Sequence, residues 1–300
     1  MKPTVAAPNR RGRGFEAQRR GVARRVMTAS AVGASLVAPP ALARAAPGCK
    51  TGTAAYERAQ FGMDVGLSAG AIGVSALGVY GVTQVRGDQW VPAIDSNVPV
   101  EHSRGPKIAS DVLTFGSYAV AAGVAVYTTV RCRNEYTLKR SRATPLLEVF
   151  WPWMWTVGVT ELTKSFSGRP RPYTRGHEGF SEDPDDYRSF FSGHTSTSTV
   201  MVTATVAASL RFSPTLSRPL PRTLISVGSG LAYGMTAGSM RVLAAEHHWS
   251  DVLIGASVGT AIGLLPSATE LFGARDRDGR PSVRVGPWMH GTGATVLGRF

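Results

Sequence analysis

Lys164 is followed by six residues and then Arg171-Pro172; Ser192-Gly193-His194 comes next; Arg241 is followed by five residues, His247, three more and Asp251. These residue types can hold a tetrahedral oxyanion and transfer it. Guanidinium forks bind phosphate oxygens in pairs, lysine adds a point charge, and free N–H groups at a helix start add the positive end of a dipole. His247 and Asp251 stand one helical turn apart, so the carboxylate can accept the proton of one ring nitrogen and leave the other as a nucleophile. His194 starts a different segment and is placed to protonate a leaving oxygen. Nothing in the sequence resembles a carboxylate cluster for magnesium or zinc, and no metal or other cofactor is expected.

Each stretch has a plainer reading by itself. "KSFSGRPRP" (164–172) is a solvated basic loop, "FSGHTS" a helix start with Ser192 as N-cap, and "EHHWSD" a helix opening with Ser250 as its cap. Together, in this order and at matching helix ends, they are hard to assign to chance. His248, His102, His177 and His290 have no place in the pattern and read as structural or surface residues. The acidic run "EDPDD" (182–186) reads as a solvated loop or as a selector near the entrance.

Positioning these groups falls to helices. Long uncharged stretches without strand alternation predict six of them, near 60–85, 108–130, 144–163, 194–211, 222–241 and 249–270, and hence an all-α, six-helix bundle. If the helices alternate in direction, Lys164, His194, Arg241 and His247 fall at one end. The helices are rich in Gly, Ala, Ser and Thr, which permits close backbone approach in membranes and in tight soluble bundles alike. The longest runs look membrane-capable, whereas the hydroxyl-rich fourth helix and the fifth do not look lipid-facing. Gly228, Gly230 and Gly234 follow no strand, so they read as helix packing rather than as a nucleotide loop. The connections 86–107 and 165–193 are long, as functional loops often are.

The domain plan is 1–45 as an export signal or basic disordered arm, 46–273 as the helical domain, and 274–300 as a tail able to form short strands. Residues 1–25 hold eight cations against Glu16 and so carry +7 of the formal net charge of +13. The remainder is only mildly basic, which removes the case for a nucleic-acid partner. An apolar, small-residue run follows, ending in Ala-Leu-Ala and Ala-Arg-Ala, and suggests cleavage near Ala43 or Ala45. Cys49 and Cys132 are the only cysteines. They leave room for one bridge and for no cysteine-rich metal site.

The three stretches resemble the type 2 phosphatidic acid phosphatase family, which shares its site with bacterial class A acid phosphatases and vanadium haloperoxidases. The resemblance covers 144–270. It implies that Lys164, Arg171 and Arg241, with Ser192 and the N–H of Gly193, bind the phosphoryl oxygens. It further implies that His247 attacks phosphorus to form a phosphohistidine, that His194 protonates the leaving alcohol and then activates water, and that Asp251 orients His247. Phe191 stands where the family has proline, and Met240 where it has serine. The expected activity is a metal-independent phosphatase acting on phosphomonoesters or lipid (pyro)phosphates, with vanadate as a transition-state mimic. A vanadate-dependent haloperoxidase and a catalytically silent envelope binding or scaffold protein are the alternatives.

Arginine and lysine crowd 131–142 and 211–222 at the end opposite the site, which by the positive-inside rule places the catalytic end outside the cytoplasm. A bundle held in the membrane and one free in the periplasm both satisfy this. Membrane association is the expectation adopted.

Overall fold

A computed structural model describes residues 54–78, 92–134, 138–176, 183–211 and 219–273, together with the backbone of 283–287 and 294–298. Among the described residues there are six α-helices: α1 (Ala54–Ala76), α2 (Arg104–Cys132), α3 (Thr144–Ser167), α4 (Gly193–Arg211), α5 (Pro219–Leu243) and α6 (Trp249–Gly273). The expected all-α bundle is therefore what the chain forms. The tail contributes one antiparallel pair, β1 (Val283–Pro287) and β2 (Ala294–Gly298), with Val285 opposite Val296. The 1–45 signal or arm, Cys49, His177 and His290 lie outside the described residues.

The first helix starts earlier than its uncharged run suggested, because its charges are accommodated inside the bundle. Glu57 and Asp64 are buried, Glu57 accepting the Leu138 N–H at 2.9 Å and Asp64 accepting from Trp151 Nε1 at 3.2 Å. Polar residues that have partners do not break a helix.

α4 is the axis of the fold and packs against α2, α3, α5 and α6. Its Thr195, Ser196, Ser198 and Thr199 are wholly buried. Their hydroxyls bond across helices, Ser196 to Thr160 at 3.1 Å and Ser198 to Thr114 at 3.1 Å, or back onto their own helix, Thr199 to the Thr195 carbonyl at 2.7 Å. Such contact requires small neighbours. A Cβ built on Gly234 of α5 would lie 1.8 Å from Thr199 Oγ1, and one on Gly259 of α6 would lie 2.3 Å from the Ser196 carbonyl oxygen. Gly230 and Gly234 are thus packing residues, whereas Gly228 faces open space.

The outer surface is the apolar one. Val112, Phe115 and Tyr127 of α2, Leu224 of α5 and Leu265 of α6 are all exposed. Hydroxyls inside and bulky apolar groups outside invert the usual aqueous arrangement. Among the described residues, α2 and Trp249–Ser267 of α6 are long and apolar enough to cross a membrane. The fifth helix, read from sequence as not lipid-facing, presents Leu220, Leu224 and Ile225 outward; its small residues occupy the α4 face and its leucines the other.

Candidate active site

α3 and α5 run toward one end of the bundle, and α2, α4 and α6 start there, so Lys164, Arg171, His194, Arg241 and His247 meet in one place. Lys164 lies in the last turn of α3 and pairs with Glu161 at 3.0 Å. A Cβ on Gly193 would lie 3.2 Å from its Nζ, so the ammonium rests close against the first residue of α4. Ser192 caps that helix, accepting from the Thr195 N–H at 3.4 Å and the Thr195 hydroxyl at 3.0 Å. Its own N–H donates to the Asp251 carbonyl at 3.1 Å, tying the start of α4 to the start of α6.

α5 ends in a left-handed turn. Glu246 N–H donates to the Arg241 carbonyl and Ala245 N–H to the Val242 carbonyl, both at 3.0 Å, with Ala245 at φ 60°. This double bond pattern ends a helix and reverses the chain. It delivers Glu246 and His247 straight back beside Arg241.

Glu246, to which the sequence reading gave no role, is the hub. Its Oε2 accepts from Arg171 Nη1 and, at 3.4 Å, from Arg241 Nη2; its Oε1 accepts from Lys107 Nζ at 2.7 Å and His102 Nε2 at 3.0 Å. Burial works against the carboxylate's charge, but Arg171 and Arg241 hold its pKa down to about 2. His102, read as a surface or structural residue, is therefore part of the rim. Arg171 is fixed further by the Asp185 carbonyl at 2.9 Å, and its backbone N–H by Asp186 at 2.8 Å. The end of the acidic run thus holds the arginine in place.

His247 is buried. Its Nδ1 hydrogen-bonds the Ser189 carbonyl at 2.8 Å, and Asp251 Oδ2 stands 3.6 Å away. The expected direct hydrogen bond to Asp251 is thus replaced by one to a backbone oxygen. The reason is competition: Asp251 accepts from Arg169 Nη1, from Ser189 Oγ at 2.6 Å and from the His248 N–H at 2.9 Å. The last of these closes the first turn of α6, so Asp251 also caps its own helix, and Asp95 takes the Ser250 N–H at 3.0 Å. Ser250 is therefore capped by others and is not itself the cap. Desolvation, with Arg171 and Arg241 nearby, lowers the His247 pKa to about 3, so the ring is neutral near pH 7.

His194, at the start of α4, bonds through Nε2 to Asp111 of α2 at 2.8 Å, and Arg241 Nη1 reaches the same carboxylate oxygen at 3.3 Å. Asp111, Asp95 and Glu246 follow no recognisable spacing; only the fold brings them to the site. Arg169, set aside by its distance from Lys164, lies behind the site and bridges Asp95 at 2.8 Å to Asp251. His248 is buried against Ser189 and Asp251, as a structural residue. Phe191 and Met240 are buried without disturbing these contacts. No group of three or more His, Cys, Asp or Glu able to hold a metal occurs among the described residues.

The arrangement is a helical bundle with a cluster of cations and histidines at one end. Residues 145–270 match the PAP2 superfamily. This is almost the same stretch as the 144–270 over which the sequence resemblance extends. Members are generally phosphatases or related hydrolases, and the match supports activity of the phosphatase or haloperoxidase type. No curated protein and no solved structure matches the chain.

Proposed function

We propose that the chain is a membrane-bound, metal-independent phosphatase that hydrolyses phosphate esters, lipid phosphates foremost, through a phosphohistidine on His247. The observation that carries this is the meeting of Arg171 and Arg241 at Glu246, the residue next to a buried histidine whose Nδ1 is already committed. The proton on Nδ1 leaves Nε2 with the lone pair. Lys164, Arg171, Arg241 and the N–H groups at the start of α4 would hold the phosphoryl oxygens while Nε2 attacks phosphorus opposite the leaving oxygen. Phosphoryl transfer is largely a matter of positioning and charge, which fixed cations supply. His194 would protonate the departing alcohol, then take a proton from the water that hydrolyses the phosphohistidine. Ser189 and Asp251 would fix the His247 ring.

Exposed Ile108, Val112 and Phe115, flanking Asp111 on α2, and Phe166, two residues past Lys164 on α3, support a lipid substrate, since they put apolar surface at the end of the bundle that carries the site. Two signals bear on sidedness and oppose each other. Arg131, Arg133, Lys139, Arg140 and Arg142 mark the far end as cytoplasmic, while Cys132 at that end is disulfide-bonded, as in an oxidising space. The charge bias rests on five residues, and we follow it in placing the catalytic end outside. A cysteine introduced at that end should react with an impermeant maleimide in intact cells; reaction only after lysis reverses the orientation.

The activity is tested with the full chain in detergent, assaying a phosphatidic acid and a soluble phosphomonoester, and trapping the phosphoenzyme. An acid-labile, base-stable phosphoryl group, lost together with turnover in His247→Ala, is the expected result. Bromide oxidation by peroxide and vanadate without ester hydrolysis would make it a haloperoxidase. Neither activity would leave a binding protein.

A further inference from the structure

We infer that Asp111 of α2 is a positioning residue for proton transfer, forming with His194 a carboxylate–imidazole pair on the leaving-group side of the site. The inference rests on the proposed role of His194. Asp111 lies outside the 145–270 segment that matches the superfamily, and no motif marks it. Its Oδ1 accepts from His194 Nε2 at 2.8 Å and from Arg241 Nη1 at 3.3 Å, so one carboxylate oxygen links the proton donor to an oxyanion-binding cation. Both members are partly open, His194 27% and Asp111 36% exposed, as a group that meets an entering ester must be. His247, by contrast, is almost completely enclosed.

With Nε2–H held by Asp111, Nδ1 is the ring nitrogen left to deliver a proton. In the first step His247 Nε2 forms a bond to phosphorus, the bond from phosphorus to the ester oxygen breaks with its electron pair passing to that oxygen, and Nδ1 of the His194 imidazolium protonates it. The alcohol leaves and His194 is neutral. In the second step Nδ1 takes a proton from water, the water oxygen bonds to phosphorus, and the P–N bond breaks with its pair returning to His247. The Asp111 carboxylate keeps its charge throughout. It stabilises the imidazolium before the first step and after the second, against burial and the positive charge of Arg241, which hold the His194 pKa down to about 4. A pair on this side also accounts for the division of labour between the two histidines. One is enclosed and tied to a backbone oxygen; the other is open and tied to a charge.

The test is a comparison of leaving groups. Full-length wild type, Asp111→Asn and His194→Ala in detergent are assayed for kcat and KM on a p-nitrophenyl ester, whose leaving group departs without a proton, and on an alkyl ester, whose leaving group needs one. Thermal melts check folding. Asp111→Asn should lose about 10- to 100-fold in kcat on the alkyl ester and much less on the nitrophenyl ester, a share of the 10²–10⁴-fold that general acid catalysis supplies. His194→Ala should show the same asymmetry more strongly. Loss of KM alone, or an equal fall on both esters, in Asp111→Asn would overturn the assignment and leave Asp111 as a support for Arg241. An equal fall on both esters in His194→Ala would instead overturn the underlying role of His194. Unchanged kcat in Asp111→Asn on both esters also overturns the inference.

Discussion

His247 Nδ1 lies 2.8 Å from the Ser189 carbonyl oxygen but 3.6 Å from Asp251 Oδ2, so a backbone group and not a carboxylate is its nearest acceptor. Asp251 meanwhile carries Arg169, Ser189 and the first turn of α6. Its main energetic role therefore differs from its distance in sequence to the histidine.

Removing Asp251 should accordingly unfold the site before it merely slows it. Asp251→Ala leaves the buried Arg169 guanidinium with Asp95 as its remaining carboxylate and takes an acceptor from the Ser189 hydroxyl and the His248 N–H; each buried polar group that loses its partner costs about 1–3 kcal/mol. His247→Ala, which strands no charge, should abolish turnover with a far smaller change in Tm. Thermal melts of the two variants beside their activities separate the roles. Equal Tm values would contradict the division.

Acid should destabilise the protein in two stages. The His247 pKa is depressed to about 3, so the unfolded chain takes up a proton near the ordinary value of 6.5 while the folded one resists. Stability is lost as pH falls between those limits. Glu246, held at about 2 against an ordinary 4.5, contributes stability that is present above 4.5 and lost as pH falls toward 2. Acid titration of Tm should show both stages in the wild type. Glu246→Gln should weaken the lower one, to which Asp95 also contributes, and should bind vanadate more weakly, because Arg171 and Arg241 lose the anion between them.

The helices were legible because each is a long uncharged run, and the three motif stretches because their spacing survives whatever lies between. Glu246 was not, although it adjoins His247: its role depends on Lys107 and His102, more than a hundred residues earlier, reaching the same carboxylate. Asp95 and Asp111 were hidden for the same reason, as single acidic residues in connections and helix starts that only packing brings to the site. The Ser189 carbonyl could not be foreseen, since a backbone acceptor leaves no trace in residue type. The outward apolar faces were half visible. Counting hydroxyls found the buried side of α4 but could not show which side of α5 the leucines take.

Ala245 occupies a left-handed backbone conformation at the end of α5, where glycine is the usual residue. For an L-residue with a Cβ this costs roughly 1–2 kcal/mol. Ala245→Gly should raise Tm by relieving it, less the entropy glycine gains when unfolded, with kcat unchanged because the backbone bonds that deliver Glu246 and His247 are kept. A fall in Tm would mean that the buried methyl contributes more through packing than the backbone conformation costs.

Gly259→Ala tests whether the small-residue stripe is what lets the site assemble. Its Cβ would sit 2.3 Å from the Ser196 carbonyl oxygen and 2.9 Å from Thr199 Cβ, and a backbone carbonyl inside a helix cannot rotate away. α6 must then move off α4, at a cost of about 1–3 kcal/mol for overpacking. The shift would also pull on the bond from Ser192 N–H to the Asp251 carbonyl, which joins the helix starts bearing His194 and Asp251. Gly123→Ala on α2 is the control, since nothing lies within 4 Å of its Cβ. The control should melt at or above the wild-type temperature with full activity, while Gly259→Ala should lose both stability and kcat. Loss of stability with unaltered kcat would show that the helix starts hold the site without help from the packing beneath them.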